Sequence, residues 1–277
     1  MPDAPASTCP KMWICNTVFF KEGECFPVKE LMFFDANAVI GDTLMGPKPG
    51  AAELLRQMDR YGVEKALVRH GNLATTGAIN ANREMTGWIS GAPPERLYGV
   101  WCILPEQCDE IPSGKELFQA MRENRIAALT LMPDEHRYLA NRLTIGRIMD
   151  EAAERKIPIL LHAMQNKWQA MYNFMQEFPK VTAIISAGHK WGSDRNLRPL
   201  LEHYENLHAE LAGYWVPEGI YDLAQKYGAD RLLYGSGFPT YAHGSSMLQI
   251  KHSALKAEEV AKIAGLNMVK LLEESEI

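Results

Sequence analysis

The sequence lacks the features by which nucleic-acid-binding and membrane proteins are usually recognised. Its 277 residues carry a net charge of −5 at pH 7. A nucleic acid or an anionic membrane surface would require a basic face on the protein. No apolar run approaches the ~20 residues that a membrane-spanning helix needs. We therefore expect neither a nucleic acid nor a membrane as a partner.

Paired cysteines are also missing. The five cysteines are an odd number, and they include no Cys-x-x-Cys pair of the kind typical of zinc sites. Cys9, Cys15 and Cys25 fall in an N-terminal segment that has neither the basic start nor the small-residue cleavage site of a signal peptide. We expect reduced cysteines, a cytoplasmic protein, and an N-terminal extension (1–30) that precedes one domain (31–277).

Short apolar runs are abundant, and they alternate with amphipathic stretches of helical period. The runs span residues 31–36, 64–70, 97–104, 126–132, 157–163, 181–188, 206–213 and 230–237. Strands that are apolar on both faces are typical of a parallel sheet covered by helices. Eight strand–helix units in a chain of this length fit a closed (β/α)8 TIM barrel, which typically has ~250 residues. The alternative is an open doubly wound sheet, but "DANAVIGD" after the first strand is not the expected Gly-x-Gly-x-x-Gly turn.

In such a barrel the active site lies at the C-terminal ends of the strands, so polar residues there are candidate site residues. Glu210, inside "LHAELAG", must be paired, hydrogen-bonded or neutral, because burying a bare charge is costly. We predict His162, His189 and Glu210 as catalytic residues. One histidine would act as a general base near neutral pH, and Glu210 would orient it or act as an acid.

The candidate substrate-binding residues are Asn37, Arg69, His70, Trp101, Lys190, Ser236 and His243. Arg69 or Lys190 would hold a substrate carboxylate, and Asn37 and Ser236 would donate to an oxyanion. Arg69 and His70 are neighbours in a strand, so at most one of them points into the barrel. The histidines predicted to lie on the surface are His136, His203, His208 and His252.

Three segments resemble a known family. They are "FPKVTAIISAGHKWG", "RPLLEHYENLHAELAGY" and "LAQKYGADRLLYGSGFP", with "KIAGLNMVKLL" following the last. Together they resemble the amidohydrolase-related family of (β/α)8 hydrolases, also called amidohydrolase 2, over roughly residues 31–273. The resemblance implies a TIM barrel of amidohydrolase type.

The sequence departs from that family at its metal ligands. The family's first strand ends in a His-x-His pair that binds a catalytic divalent metal, and its eighth strand supplies a metal-bound aspartate. The corresponding residues here are Asn37, Val39 and Gly237. We therefore expect no cofactor of the usual kind. The alternative is a single zinc or manganese ion on His162, His189 and Glu210, since zinc normally needs three protein ligands.

Two classes of function follow from these features. The first is a hydrolase of esters or lactones, or a lyase, that acts on a small carboxylated or cyclic substrate without the usual metal chemistry. The second is a catalytically silent barrel that binds a small ligand or a partner. The missing ligands favour the second, and the polar residues at the strand ends favour the first. Stretches such as "MYNFM" fit either a subunit interface or the core, so a homo-oligomer stays open.

Overall fold

A computed structural model describes residues 31–43, 46, 48–161, 167–186 and 194–277. The predicted extension 1–30 and the predicted site residues His162, His189 and Lys190 lie outside the described residues. Met32–Ile277 forms one compact unit.

Eight strands form one sheet in which each strand pairs in parallel with the next along the chain. They are β1 (Phe33–Ile40), β2 (Val63–His70), β3 (Leu97–Cys102), β4 (Ile126–Thr130), β5 (Ile159–Leu160), β6 (Ala183–Ser186), β7 (Leu207–Glu210) and β8 (Leu232–Leu233). Each predicted apolar run overlaps one of them, although β1 extends four residues beyond the first run and β2 begins one residue before the second.

Backbone hydrogen bonds between β1 and the β8 region bring the two edges of this sheet together. The Ala36 N–H donates to the Tyr234 carbonyl at 2.9 Å, and the Val39 N–H donates to the Phe238 carbonyl at 3.0 Å. The predicted (β/α)8 barrel is therefore confirmed, and all strand C-termini lie at one end of it.

Helices separate the strands in the described part of the chain. They are α1 (Ala51–Tyr61), α2 (Leu73–Thr76), α3 (Ala78–Ser90), α4 (Lys115–Glu123), α5 (Arg142–Glu154), α6 (Trp168–Glu177), α7 (Asp194–His203), α8 (Gly219–Tyr227), α9 (His243–Lys251), α10 (Ala257–Ala261) and α11 (Asn267–Glu273). Local signals set several of these ends. Gly62 ends α1 in the left-handed conformation with φ 72°, and Asn141 starts α5 with a capping box.

The barrel interior is filled by one apolar cluster. It contains Phe34, Ala36, Leu67, Val100, Ala128, Leu160, Ile184 and Leu233, one or two residues from each strand except β7. Met268 of α11 packs against the same cluster. The Asn267 side chain attaches α11 to the last strand, because its Nδ2 donates to the carbonyls of Ala229 and Leu232 at 2.8 Å each. The polar residues near the C-terminal strand ends stand above this apolar layer. Over the described residues, the structure contains no helix with the length and apolarity needed to cross a membrane.

Candidate active site

Three polar side chains meet inside the C-terminal end of the barrel. Asn37 of β1 donates from Nδ2 to Glu210 Oε2 at 2.9 Å, and its Oδ1 accepts from Arg69 Nε at 3.4 Å. Arg69 can only donate and an ionised Glu210 can only accept. The two partners therefore fix the orientation of the Asn37 amide, and we call these residues the Arg69–Asn37–Glu210 network.

Glu210 reaches Asn37 because Gly235, the second residue after β8, has no side chain to stand between them. β8 lies between β7, which carries Glu210, and β1, which carries Asn37. A Cβ placed on Gly235 would lie 1.8 Å from Glu210 Oε1 and 2.4 Å from its Cδ. The carboxylate thus occupies the room of the missing side chain. The short contact of Glu210 Oε1 with the Ala212 N–H completes the support of a side chain with 0% exposure.

Arg69 carries the positive charge of the network. Burial lowers the pKa of its guanidinium to about 10, against the opposing charge of Glu210, so it stays protonated at neutral pH. The residue is partly exposed. Within the described residues, Nη1 and Nη2 have no hydrogen-bond acceptor. Two forked N–H donors at a strand end suit a carboxylate, which Arg binds with two parallel hydrogen bonds.

Asp35 connects the ends of β1 and β8. Its Oδ1 accepts from the backbone N–H groups of Ser236 at 2.8 Å and Asn37 at 2.9 Å, and its Oδ2 accepts from Ser236 Oγ at 2.5 Å. Burial raises the pKa of Asp35 above its usual range, although His243 and these donors oppose the rise. The Ser236 hydroxyl proton is engaged by Asp35, and Ser236 itself is completely buried.

His243 begins α9 and lies beside Asp35. Its Nδ1 is 3.6 Å from Asp35 Oδ2 and 3.2 Å from the Tyr234 hydroxyl, and its ring stacks on Phe238. Burial lowers the pKa of the imidazole, although Asp35 opposes the change. Its Nε2 is buried without a hydrogen-bond partner among the described residues.

Two further predicted site residues, His70 and Trp101, lie in the described part. His70 faces α3, where its Nδ1 accepts from the Asn72 N–H at 3.1 Å and its Nε2 therefore donates to Glu84 at 3.1 Å. Its ring stacks on Trp88. Trp101 is buried in β3, and its Nε1 has no partner among the described residues. The structure thus brings Asn37, Arg69 and Glu210 together, and Ser236 and His243 form a second group around Asp35.

Two surface predictions are wrong. His136 is half-buried, and its Nε2 donates to the Leu73 carbonyl at 3.0 Å. His208 stands two residues before Glu210 in β7, which places both side chains on the same face of the strand. Its Nδ1 is buried, and burial with the nearby charges of Arg231 and Lys270 lowers its pKa to about 4. The two-residue period of a strand was the signal available in the sequence, because it places His208 on the same face as Glu210.

The described residues do not fit the metal site that the family resemblance implies. The Val39 side chain has no atom that can coordinate a metal ion, and Gly237 has no side chain. The side-chain Oδ1 of Asn37 accepts from Arg69, whose positive charge opposes a cation there. In the described ranges, no three His, Cys, Asp or Glu side chains lie close enough together to hold a metal ion.

Three residues of the site region, Asp35, Gly235 and Tyr241, were not among the predicted site residues. Gly235 makes room for Glu210, and Tyr241 packs against the backbone at the ends of β7 and β8. The contacts of Gly235 with Glu210 and of Tyr241 with Gly213 are not local in sequence. The repeated glycines of "YGSGFP" were the available signal for Gly235, and the place of Tyr241 in the loop after the eighth strand was the available signal for that residue.

The fold and the polar strand ends define a (β/α)8 barrel with its candidate site at the C-terminal end. Comparison with protein families identifies it further. The amidohydrolase family model matches residues 57–273, so this chain belongs to the amidohydrolase family. A comparison with curated proteins found no match.

Solved structures of similar fold include decarboxylases and a hydrolase. A dihydroxybenzoic acid decarboxylase from Polaromonas, with bound manganese and the inhibitor 2-nitroresorcinol, has 14% identity and a TM-score of 0.66 over 88% of this chain and 97% of its own. A 5-carboxyvanillate decarboxylase from Sphingomonas paucimobilis has 12% identity and a TM-score of 0.63 over 88% and 99%. A probable 2-pyrone-4,6-dicarboxylic acid hydrolase from Acinetobacter baumannii, with citric acid bound, has 14% identity and a TM-score of 0.62 over 87% and 99%.

Proposed function

We propose that this barrel binds a small carboxylated molecule at the Arg69–Asn37–Glu210 network and cleaves it, as a hydrolase or a carbon–carbon lyase, without the family's usual metal. One observation carries the proposal. Arg69 presents two N–H donors that have no acceptor among the described residues, and they stand beside Asn37 at the end of the barrel where such proteins bind their substrates. The names of the similar structures, which all refer to carboxylic acids, agree with this ligand class.

Asn37 supplies a further donor to the same place. One N–H of its amide is used by Glu210, and the other has no acceptor within the described residues. Hydrolysis builds negative charge on a carbonyl oxygen, and carbon–carbon cleavage beside a carbonyl builds it on an enolate oxygen. Donors that are already oriented stabilise such charge in either reaction. The amide of Asn37 and the guanidinium of Arg69 form an oxyanion site of this type.

Glu210 is assigned a positioning role rather than contact with the substrate. It has no exposed surface and accepts from Asn37 and the Ala212 N–H. The Glu210 carboxyl group holds the Asn37 amide in the donating orientation and opposes the lowering of the Arg69 pKa by burial. The general base in this proposal is His162 or His189, the two histidines that the sequence predicts at the ends of strands 5 and 6.

The second candidate function is binding without turnover. Val39 and Gly237 favour it, because these positions correspond to the metal ligands of the resembled family and carry no ligand atom. A chain of this type would keep the carboxylate-binding network and lose the chemistry. The turnover assay described in the next paragraph separates the two functions.

The test is a turnover assay on chelator-treated full-length protein. Small aromatic and aliphatic carboxylates are assayed for CO2 release, and carboxylated lactones and esters for hydrolysis. We expect Arg69→Met to lower kcat/KM by about 100-fold, because a buried charge-assisted contact is lost. Arg83→Met, at an exposed arginine of α3, is the matched control and should leave kcat/KM unchanged.

Saturable binding with no turnover would favour the second function. Turnover by Arg69→Met at the wild-type rate would overturn the role of Arg69 in both candidate functions.

A further inference from the structure

Tyr241 lies directly on the backbone at the ends of two strands. Gly237 follows β8 and Gly213 follows β7, and both have a left-handed φ of 66°. A Cβ on Gly237 would lie 2.7 Å from Tyr241 Cδ2, and a Cβ on Gly213 would lie 3.0 Å from Tyr241 Cε2. One edge of the ring therefore rests on two glycines, and any larger residue at either position would displace it.

The loop before Tyr241 holds the ring in this place. The N–H groups of Thr240 and Tyr241 both donate to the Gly237 carbonyl, at 3.0 and 3.2 Å. Gly237 in turn donates its N–H to the Asn37 carbonyl at 3.0 Å. The tyrosine is thereby fixed to the same strand ends that carry the Arg69–Asn37–Glu210 network.

The ring and a metal-binding aspartate exclude each other in this arrangement. The resembled family extends an aspartate from the position of Gly237, but here even the first side-chain atom would meet the Tyr241 ring. Tyr241 is partly exposed, and its hydroxyl has no hydrogen-bond partner within the described residues.

We infer that Tyr241 is a specificity-determining residue, which fills the place of the absent metal ligand and presents an aromatic surface beside the Arg69–Asn37–Glu210 network. Its ring would contact the ring of a cyclic carboxylate whose carboxyl group is held by Arg69. This inference rests on the proposed function. It adds selectivity for ring-bearing carboxylates, which charge recognition by Arg69 does not provide.

Calorimetric titration of the full chain with benzoate and with acetate tests the inference. We expect Tyr241→Ala to weaken benzoate binding by about 5- to 10-fold, the size of an aromatic contact, and to leave acetate binding within about 2-fold. Gly237→Ala should give the same selective loss, because its Cβ displaces the ring while the tyrosine remains. Tyr221→Ala, at an exposed tyrosine of α8, should change neither affinity.

The outcomes distinguish this inference from the proposed function. The assignment of Tyr241 is overturned if Tyr241→Ala and Gly237→Ala weaken the binding of benzoate and acetate equally, or weaken neither. If Arg69→Met still weakens the binding of both benzoate and acetate in that case, the proposed function stands. If the wild type binds neither ligand, both are overturned.

Discussion

The substitution Gly235→Ala tests whether Glu210 occupies the room of a missing side chain. The new Cβ would lie 1.8 Å from Glu210 Oε1, so the carboxylate must move by roughly 1 Å or more to restore normal contact distances. That movement breaks its bonds with Asn37 and the Ala212 N–H. Displacing a buried carboxyl group from two of its hydrogen-bond partners costs about 3–5 kcal/mol in free energy of unfolding. For a chain of this size, such a loss lowers Tm by on the order of 10 °C.

The assay is urea denaturation of a double-mutant cycle that combines Gly235→Ala with Glu210→Ala. We expect the penalty of Gly235→Ala to fall to less than about 1 kcal/mol once Glu210 is gone, which isolates the steric coupling. Gly87→Ala is the matched control, because nothing lies within 4 Å of a Cβ at that helical glycine. It should be neutral or stabilising by about 0.4–1 kcal/mol. An equal penalty in the presence and absence of Glu210 would refute the reasoning.

Two further predictions concern buried polar groups. Ser236→Ala removes the hydroxyl donor of Asp35 and should lower the free energy of unfolding by about 1–3 kcal/mol, measured by urea denaturation; an unchanged midpoint would contradict the role of this bond in closing the barrel. His208 has a pKa of about 4 in the folded chain and ~6.5 when unfolded. Folding favours the neutral form of His208. Its contribution to the free energy of unfolding is therefore fully present above pH 6.5 and is lost as the pH falls towards 4. We expect the wild type to lose up to ~3 kcal/mol more than His208→Gln between pH 7 and pH 4; parallel stability curves for the two proteins would contradict this.

The sequence was sufficient to predict the barrel because each strand is a local apolar run. The strand count and the parallel order both followed from that pattern. The helix α3 is weakly marked in the sequence, since Gly77, Gly87 and Gly91 lower helix propensity around its stripe of buried residues. Its stripe of Ala78, Ala81, Met85 and Ile89 is visible only when small residues are counted as apolar.

The candidate site was predictable only in part. Glu210 stood out, because a carboxylate inside a barrel strand needs a partner. The partner itself depends on contacts across the barrel, from β7 past β8 to β1. The place of Tyr241 likewise depends on Gly213, which is distant in sequence. Such contacts follow from the closure of the sheet, and local pattern and spacing carry no information about them.

The central claim is that Arg69, and no metal ion, binds the carboxylate of the ligand. The most direct measurement is calorimetric titration of benzoate into exhaustively chelated full-length protein, with and without added Mn²⁺ or Zn²⁺, for the wild type and Arg69→Met. We predict that the chelated wild type binds benzoate with an affinity that added metal does not change, and that Arg69→Met binds it at least about 10-fold more weakly. Binding that disappears on chelation and returns with metal in both proteins would contradict the claim.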